Sequence, residues 1–197
     1  MNVKGYLRKN LSTMTMILIL VAFRWSFADQ YRVPTGSMLP TIQIGDHIFT
    51  NKLAYDLRLP FTDYKLLRLG EPQRGDIAVF IFPVDNETNL VKRIVGLPGE
   101  HLRIEGDTVW INGERVNEKY LPTLFTESKK DQITELDIPK DYYFVMGDNR
   151  GNSWDSRYWG LVPRKNIKGR ALGVLWNITF SKIIPEINLS RIGWSLI

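Results

Sequence analysis

Three segments of the chain hold residues whose types and spacing could do chemistry. The first is Pro34-Thr35-Gly36-Ser37-Met38-Leu39-Pro40-Thr41. Gly permits a tight backbone and the flanking Pro residues stiffen it. Such a turn can present a Ser hydroxyl with its backbone N–H aimed at one point, the pairing of nucleophile and oxyanion donor that acyl transfer needs. The same composition also makes an ordinary turn. The second segment is Leu90-Val91-Lys92-Arg93-Ile94-Val95, which sets a Lys inside an apolar, strand-like run. Burial disfavours the ammonium form, and a like charge beside it does the same, so such a Lys can serve as a general base. A Lys on the solvent face of a half-buried strand would look alike. The third is the polar loop Gly147-Asp148-Asn149-Arg150-Gly151-Asn152-Ser153-Trp154-Asp155-Ser156-Arg157-Tyr158-Trp159-Gly160. Interlocked Asp and Arg residues there could hold a catalytic group in place. It could equally be an ordered surface turn. A Ca²⁺ loop fits poorly, because the closing Glu is absent and Arg occupies the loop.

Other chemistries have less support. There is no Cys, which excludes disulfides, thiol catalysis and thiolate metal sites. His47 and His101 have no neighbouring Asp or Ser at a telling spacing, and no zinc-protease, P-loop or dinucleotide motif occurs. A Ser–His–Asp triad stays open, since triads assemble in space. A Ser–Lys pair accounts for more of this sequence. The surplus of 26 Lys and Arg over 21 Asp and Glu fits nucleic acid, anionic lipid or plain solubility, and selects none of them.

Something must position these segments. The chain has 197 residues, enough for one domain plus an appendage, and its 44% hydrophobic and 24% charged residues are globular values. The appendage is N-terminal. Lys4, Arg8 and Lys9 precede an uncharged stretch from Asn10 to Phe23. Those fourteen residues span only about 21 Å as a helix. Counting on past Arg24, whose long side chain can snorkel, through Ala28 gives about 19 residues, enough to cross a bilayer. Trp25 and Tyr31 would then lie near the far interface. A cleaved signal peptide is the alternative, with Ser26-Phe27-Ala28 as a small-x-small site, but Arg24 falls between the apolar run and that site. The basic residues before the run place the N-terminus in the cytoplasm and residues 30–197 outside.

The remainder reads as mainly β. Strands are expected at Ile77–Phe82, Leu90–Val95, Tyr142–Met146 and Ala171–Trp176, with a hairpin over Leu102–Ile111 and a tight turn at Asn112-Gly113. Residues 117–138 are polar and irregular, within a hairpin and loop excursion over about 105–140. Asn51–Leu59 is expected to form one short helix. Many short strands with Gly and Pro turns predict an irregular antiparallel β-sandwich or barrel.

The order of these motifs resembles bacterial type I signal peptidases, which are membrane-anchored serine endopeptidases. The resemblance rests on the apolar anchor, Pro-Thr-Gly-Ser37-Met-Leu-Pro-Thr, Arg-Gly-Asp76-Ile-Ala-Val-Phe, Val-Lys92-Arg-Ile-Val-Gly-Leu-Pro-Gly and Gly-Asp148-Asn-Arg-Gly-Asn-Ser153-Trp-Asp-Ser-Arg-Tyr-Trp-Gly, spread over residues 10–160. Leu189-Ser190-Arg191-Ile192-Gly193 also looks like the family's closing segment. The resemblance implies one retained transmembrane helix (1–28) followed by a β-rich catalytic domain (29–197) of the signal peptidase and self-cleaving-repressor type. It implies cleavage of signal peptides from exported preproteins after an Ala-x-Ala-like site.

By position, it implies Ser37 as nucleophile, Lys92 as general base and Ser153 as the residue that orients the Lys92 amine. The oxyanion hole would be the Ser37 N–H with the Thr35 hydroxyl, where relatives usually have Ser; the extra methyl restricts the rotamer. Asp148 would pair with Arg93 and Asp155 with Arg157, bracing the loop. Gly151 stands where many relatives have Asp, which implies a looser loop. Pocket walls would include Tyr31, Val33, Pro34, Met38, Ile42, Ile48, Val79, Leu90 and Val91, with Leu90 at a position often aromatic. Trp154 and Trp159 would rest on lipid or pack in the core. The implied partners are signal peptides, membrane lipid and the secretion translocon, with no metal, cofactor or nucleic acid, at the bacterial cytoplasmic membrane. Rival readings are a soluble self-cleaving repressor, which would carry a DNA-binding helical domain, a dedicated processing peptidase with few substrates, and an inactive β module, which would lack Ser37 or Lys92.

Overall fold

The computed structural model describes residues 3–62, 64–106, 108–118, 120–121, 133–179 and 186–196. Helix α1 (Val3–Phe27) runs directly into strand β1 (Ala28–Arg32). At 1.5 Å per residue its 25 residues reach about 37 Å. Its stretch from Asn10 to Phe27 is long and apolar enough to cross a membrane, and almost none of it is buried against the protein. The chain continues through β2 (Asp46–Asn51), β3 (Asp56–Arg58), β4 (Lys65–Arg68), β5 (Ile77–Ile81), β6 (Asn89–Gly96), β7 (His101–Glu105), β8 (Thr108–Ile111), β9 (Glu114–Arg115), β10 (Ile133–Asp137) and β11 (Tyr142–Met146). A short helix α2 (Ser156–Trp159), then β12 (Val162–Pro163), β13 (Ile167–Thr179) and β14 (Glu186–Ile187), complete it.

The main sheet is antiparallel and runs β1-β2-β13-β5-β6-β11-β12, with β14 pairing on β13. A four-stranded sheet, β10-β7-β8-β9, and the β3-β4 hairpin stand beside it. This is the irregular antiparallel architecture that the turn-rich sequence predicts. β5 is buried on both faces, which is why it reads as an unbroken apolar run. Ile77 and Val79 join a core with Val33, Met38, Ile42 and Ile48, while Ala78 and Phe80 join another with Tyr55, Ile94, Tyr143 and Ile167. A third core, with Val95, Leu102, Ile104, Phe144 and Met146, fastens the four-stranded sheet to the main one. Asn112 and Gly113 both take positive φ, 52° and 83°, and close the tight β8–β9 hairpin.

Three expectations change. Asn51–Leu59 is not a helix. The N–H groups of Tyr55 and Asp56 make one turn onto the Lys52 carbonyl, and then β3 begins. Tertiary partners override the local propensity: Asp56 is taken by Arg164, and Arg58 by the carbonyls of Ile167 and Lys168. The excursion near 105–140 holds a further strand, β10, which pairs with β7, and residues 107, 119 and 122–132 of it lie outside the described residues. The strand expected at Ala171–Trp176 is longer and bulged, bridging β2 and β5. Gly169 hides its start from a sequence reading, yet a Cβ there would sit 2.7 Å from the Asn51 carbonyl oxygen.

Ser26-Phe27-Ala28 is built into the fold. Ser26 is buried, Phe27 ends α1, and Ala28 pairs with Asn51 in the sheet.

Candidate active site

Ser37 sits in the turn that follows β1. The turn is pinned below by Met38, which has no exposed surface, and closed by the Ile42 N–H on the Met38 carbonyl at 2.9 Å. Asn149 holds it from the other side. Its backbone N–H donates to the Ser37 carbonyl at 3.1 Å, and its side-chain amide donates to the Gly36 carbonyl at 2.9 Å. The hydroxyl of Thr41 donates to Asp148 Oδ2 at 2.6 Å. The carbonyl of Thr41 and the carboxylate of Asp46 both accept from Arg191 Nη2, at 3.0 and 2.6 Å.

Lys92 comes from β6, opposite Ala78 of β5. Its Nζ lies 2.5 Å from Ser37 Oγ, and the residue is 4% exposed. Burial lowers its pKa to about 8, against the attraction of Asp155 and Asp148 and with help from the Arg157 charge. The sequence reading gave the like-charge role to Arg93. The structure gives it to Arg157, because Arg93 is neutralised by Asp148: Arg93 Nε and Nη2 donate to its two carboxylate oxygens at 2.8 and 2.6 Å. The Arg93 guanidinium also lies 3.9 Å from the Tyr120 ring.

The loop after β11 stands beside β6 because β11 pairs with β6, placing Met146 opposite Arg93. Asp155 accepts from the Gly147 N–H at 3.0 Å and from Arg157 Nε at 2.8 Å. Arg157 Nη2 reaches back to the Arg150 carbonyl at 2.8 Å. The expected Asp148–Arg93 and Asp155–Arg157 pairings are therefore formed. Arg150 is fully buried, and its partner is Glu118, at 2.9 and 2.5 Å, from outside the loop. Gly151 is exposed within the short 3₁₀ turn, so the loop is braced from residue 118 rather than from position 151.

Ser153 is close to Ser37 but does not bond to Lys92. A Cβ on Gly147 would fall 2.2 Å from Ser153 Oγ and 2.3 Å from the Ser37 carbonyl oxygen, so only glycine lets the two serines meet here. Ser153 Oγ is buried without a hydrogen-bond partner, while the Lys92 amine has turned to Ser37. The expected orienting bond is thus not made in this state. An unpaired buried hydroxyl is costly, which leaves it ready to accept a partner.

A cavity of about 420 Å³ opens in front of the pair. Tyr31, Val33, Pro34, Ile48, Val79, Leu90 and Val91 line it, as expected, together with Thr35, Ser37 and Lys92. Arg32, Thr88 and Asn89 also line it, and the sequence reading had not included them. Met38 and Ile42 do not. They are wholly buried in the core behind the wall, because the turn carrying Ser37 must be anchored from below. Beside the cavity, β1 stands at one end of the sheet, and β11 pairs with β6 only from Arg93 onward. Neither histidine takes part. His101 is exposed against Asp137 and Glu135, and His47 stacks on Trp176. Trp159 packs on Phe80 and Phe82, whereas Trp154 is 59% exposed.

A family model described as "Signal peptidase, peptidase S26" matches residues 7–176. The chain belongs to this family. It is 37% identical over 213 residues to signal peptidase I of Pseudomonas fluorescens, covering 90% of this chain and 75% of that protein. Against signal peptidase I of Pseudomonas aeruginosa it is 37% identical over 214 residues with the same coverage. A crystal structure of a signal peptidase I from Enterococcus faecalis V583 matches at 36% identity, covering 51% of this chain and 96% of that one, with a TM-score of 0.45. This signal peptidase is a hydrolase, a protease of signal-peptide processing. Besides Arg32, Thr88 and Asn89, sequence reasoning passed over Asn149, Gly147, Thr41 and Glu118. A Gly ending an apolar strand, Tyr142–Met146, was the one signal available for Gly147.

Proposed function

We propose that this signal peptidase is a membrane-anchored endopeptidase in which Ser37 attacks the scissile carbonyl and Lys92 is the general base. The observation that carries the reading is the 2.5 Å separation of Lys92 Nζ and Ser37 Oγ, with the amine buried. As an ammonium, Lys92 donates to Ser37 Oγ. Once it has lost its proton the polarity reverses, and the amine accepts the Ser37 proton as Oγ bonds to the carbonyl carbon. The resulting oxyanion takes the N–H of Ser37, which makes no hydrogen bond among the described residues, and the Thr35 hydroxyl, which lines the same cavity. Lys92 then gives its proton to the leaving amine. It next takes a proton from the water that attacks the Ser37 ester, and returns it to Ser37 Oγ as the acyl C–Oγ bond breaks and the carboxylic acid leaves. Ser153, with its unpaired hydroxyl a short distance away, holds the amine when that amine swings off Ser37.

The cavity favours small side chains. Its walls are mostly apolar, and a charged or large residue would be desolvated or would clash. The terminal position of β1 in the sheet and the first half of β6 suit an extended peptide, whose alternate side chains would enter the cavity, giving a small-x-small preference. Helix α1 supplies the anchor, with the N-terminus in the cytoplasm and the β domain of residues 29–197 outside. Anchoring enzyme and signal peptide in one bilayer raises their effective concentration. Lipid and the secretion translocon are the surroundings this reading assigns to it.

The test is cleavage of a preprotein in liposomes, with the new N-terminus sequenced. Wild type is expected to cut after a small-x-small site, and Ser37→Ala and Lys92→Ala to be folded and inert. A Lys92→Ala variant cutting at the wild-type rate would remove Lys92 as the base and reopen a histidine mechanism.

A further inference from the structure

Tyr31 borders the cavity and carries a phenol that the cleavage chemistry does not use. Residues two apart on a strand share a face, so Asp29 stands beside it on β1. The Tyr31 hydroxyl donates to Asp29 Oδ2 at 3.2 Å, and the Gln30 N–H donates to Asp29 Oδ1 at 2.9 Å. The same Oδ2 lies 3.1 Å from Lys52 Nζ. The carboxylate is thus held at both oxygens. The body of Tyr31 packs against the core that contains Val33 and Ile48, and its far end is fixed by Asp29.

Lys52 follows β2 directly and is 6% exposed. A buried ammonium is costly unless partners surround it. Its partners come from two places. One is Asp29. The other is the end of α1. Lys52 Nζ donates to the Trp25 carbonyl at 2.8 Å, and the Lys52 N–H donates to the Phe27 carbonyl at 3.0 Å. The ammonium also stands 5.5 Å from the centre of the Trp25 ring. The last carbonyls of a helix have no partner within it, and a cation there suits the helix dipole. One ammonium therefore closes α1 and holds the carboxylate that holds Tyr31. Closing the helix needs only the carbonyls; the link through Asp29 to the cavity wall is additional.

We infer that Lys52 is a positioning residue for substrate selection, acting through Asp29 to fix the Tyr31 side chain at the cavity wall. The inference rests on the reading of the cavity as the seat of the small-x-small sequence. Staggered wells at χ1 offer a Tyr side chain several directions, and a phenol tied at its hydroxyl keeps one of them. With the tie intact the wall is rigid, and a side chain larger than Ala meets it as a clash. With the tie cut, the ring swings and the cavity admits the larger side chain. The proton chemistry is separate from this chain of contacts: the charges that act on Lys92 are those of Asp155, Asp148 and Arg157. Lys52 thus governs which peptide fits and leaves the base as it is.

The test uses the full chain in liposomes and three preproteins that differ only at the cleavage site: Ala-x-Ala, Leu-x-Ala and Ala-x-Leu. The readout is the ratio of kcat/KM between the Ala-x-Ala site and each Leu site. Wild type is expected to prefer Ala at both positions. In Lys52→Met that preference should fall about tenfold at one of the two positions, the scale on which a hydrophobic pocket senses added methylenes. The pH midpoint on the Ala-x-Ala site should stay at the wild-type value. Tyr31→Phe keeps the ring and the closure of α1 and removes only the tie, so it should lose the same preference at the same position. The double variant should lose no more than either single one, because both cut one chain of contacts. A wild-type ratio in either single variant, losses that add in the double variant, or a shifted pH midpoint in Lys52→Met would overturn the inference. If Lys52→Met does not fold, Tyr31→Phe decides alone. A wild type that cuts all three sites alike would overturn the reading of the cavity, and this inference with it; a wild type that prefers Ala leaves that reading standing when the inference alone fails.

Discussion

The side-chain amide of Asn149 donates to the carbonyl of Gly36 at 2.9 Å, and that carbonyl shares a peptide plane with the N–H of Ser37. In a trans peptide the two groups point in opposite directions, so holding the carbonyl on one side aims the N–H on the other. A hydrogen bond to the carbonyl also polarises the N–H and makes it a better donor. Asn149→Ala should therefore lower kcat by about 10- to 100-fold, less than the loss of a whole oxyanion donor. KM should move little. Asn149→Asp should lose more, since a carboxylate would face a carbonyl oxygen. Steady-state cleavage of a soluble peptide reads both, and an unchanged kcat in Asn149→Ala would sink the argument.

With Lys92 as the proposed base, its pKa, lowered by burial to about 8, predicts the pH profile. The base works only when neutral, so kcat/KM should rise with pH and reach half its plateau near pH 8. Arg157 helps keep the amine neutral, so removing its charge in Arg157→Met should move the midpoint upward. A profile flat from pH 6 to 10 would contradict this assignment.

The same burial costs stability. Unfolded, Lys92 titrates near 10.5, and folded near 8. Below pH 8 it is charged in both states, and the fold bears the full cost of a buried ammonium, about 3 kcal/mol. Between pH 8 and 10.5 the folded protein gives up the proton while the unfolded chain keeps it, so the cost fades as pH rises. Lys92→Met, similar in length and uncharged, should therefore be inactive yet more stable than wild type at pH 7, by about 1–3 kcal/mol. Urea denaturation of both proteins at pH 7 and pH 10 measures this, and the gap should narrow at the higher pH.

Arg150 and Glu118 form a buried ion pair that ties the loop to a residue thirty-two positions earlier. Glu118→Ala would leave a guanidinium buried and unpaired, a loss of about 3–5 kcal/mol. Arg150 Nε also bonds the Gly147 carbonyl at 3.2 Å, so the turn that admits Ser153 beside Ser37 should loosen with it. Lower denaturation midpoint and lower activity are expected together. Activity lost with stability intact would mean that Glu118 acts elsewhere.

Much of the site was legible in the sequence because its signals are local. Ser37 sits in a Gly/Pro turn, Lys92 interrupts an apolar run, and Asp148 and Arg157 fall in a dense polar loop. The strands at Ile77–Ile81 and Tyr142–Met146 were legible for the same reason, being apolar runs bounded by turns. What could not be read depends on contacts distant in sequence. Glu118 finds Arg150 only through folding, and Met38 and Ile42 have the residue types of a pocket wall yet lie behind it. The segment over Asn51–Leu59 misled because Asp56 and Arg58 answer to Arg164 and Ile167, more than a hundred residues on. The departure at Ser153 has a different origin: the Lys92 amine bonds Ser37 and leaves Ser153 unpaired, and spacing gives no sign of that choice.

Arg191 clamps Asp46 and the Thr41 carbonyl, and Thr41 in turn holds Asp148. The support beneath Ser37 therefore includes a residue made 154 positions after it, by difference of their numbers. Ser26-Phe27-Ala28 lies within that same fold: Ser26 is buried, and Ala28 pairs with Asn51, which pairs in turn with Arg170 of β13. Under the proposed specificity, the sheet that carries the catalytic pair also withholds the chain's own small-x-small stretch, so that stretch should be cut only in unfolded copies.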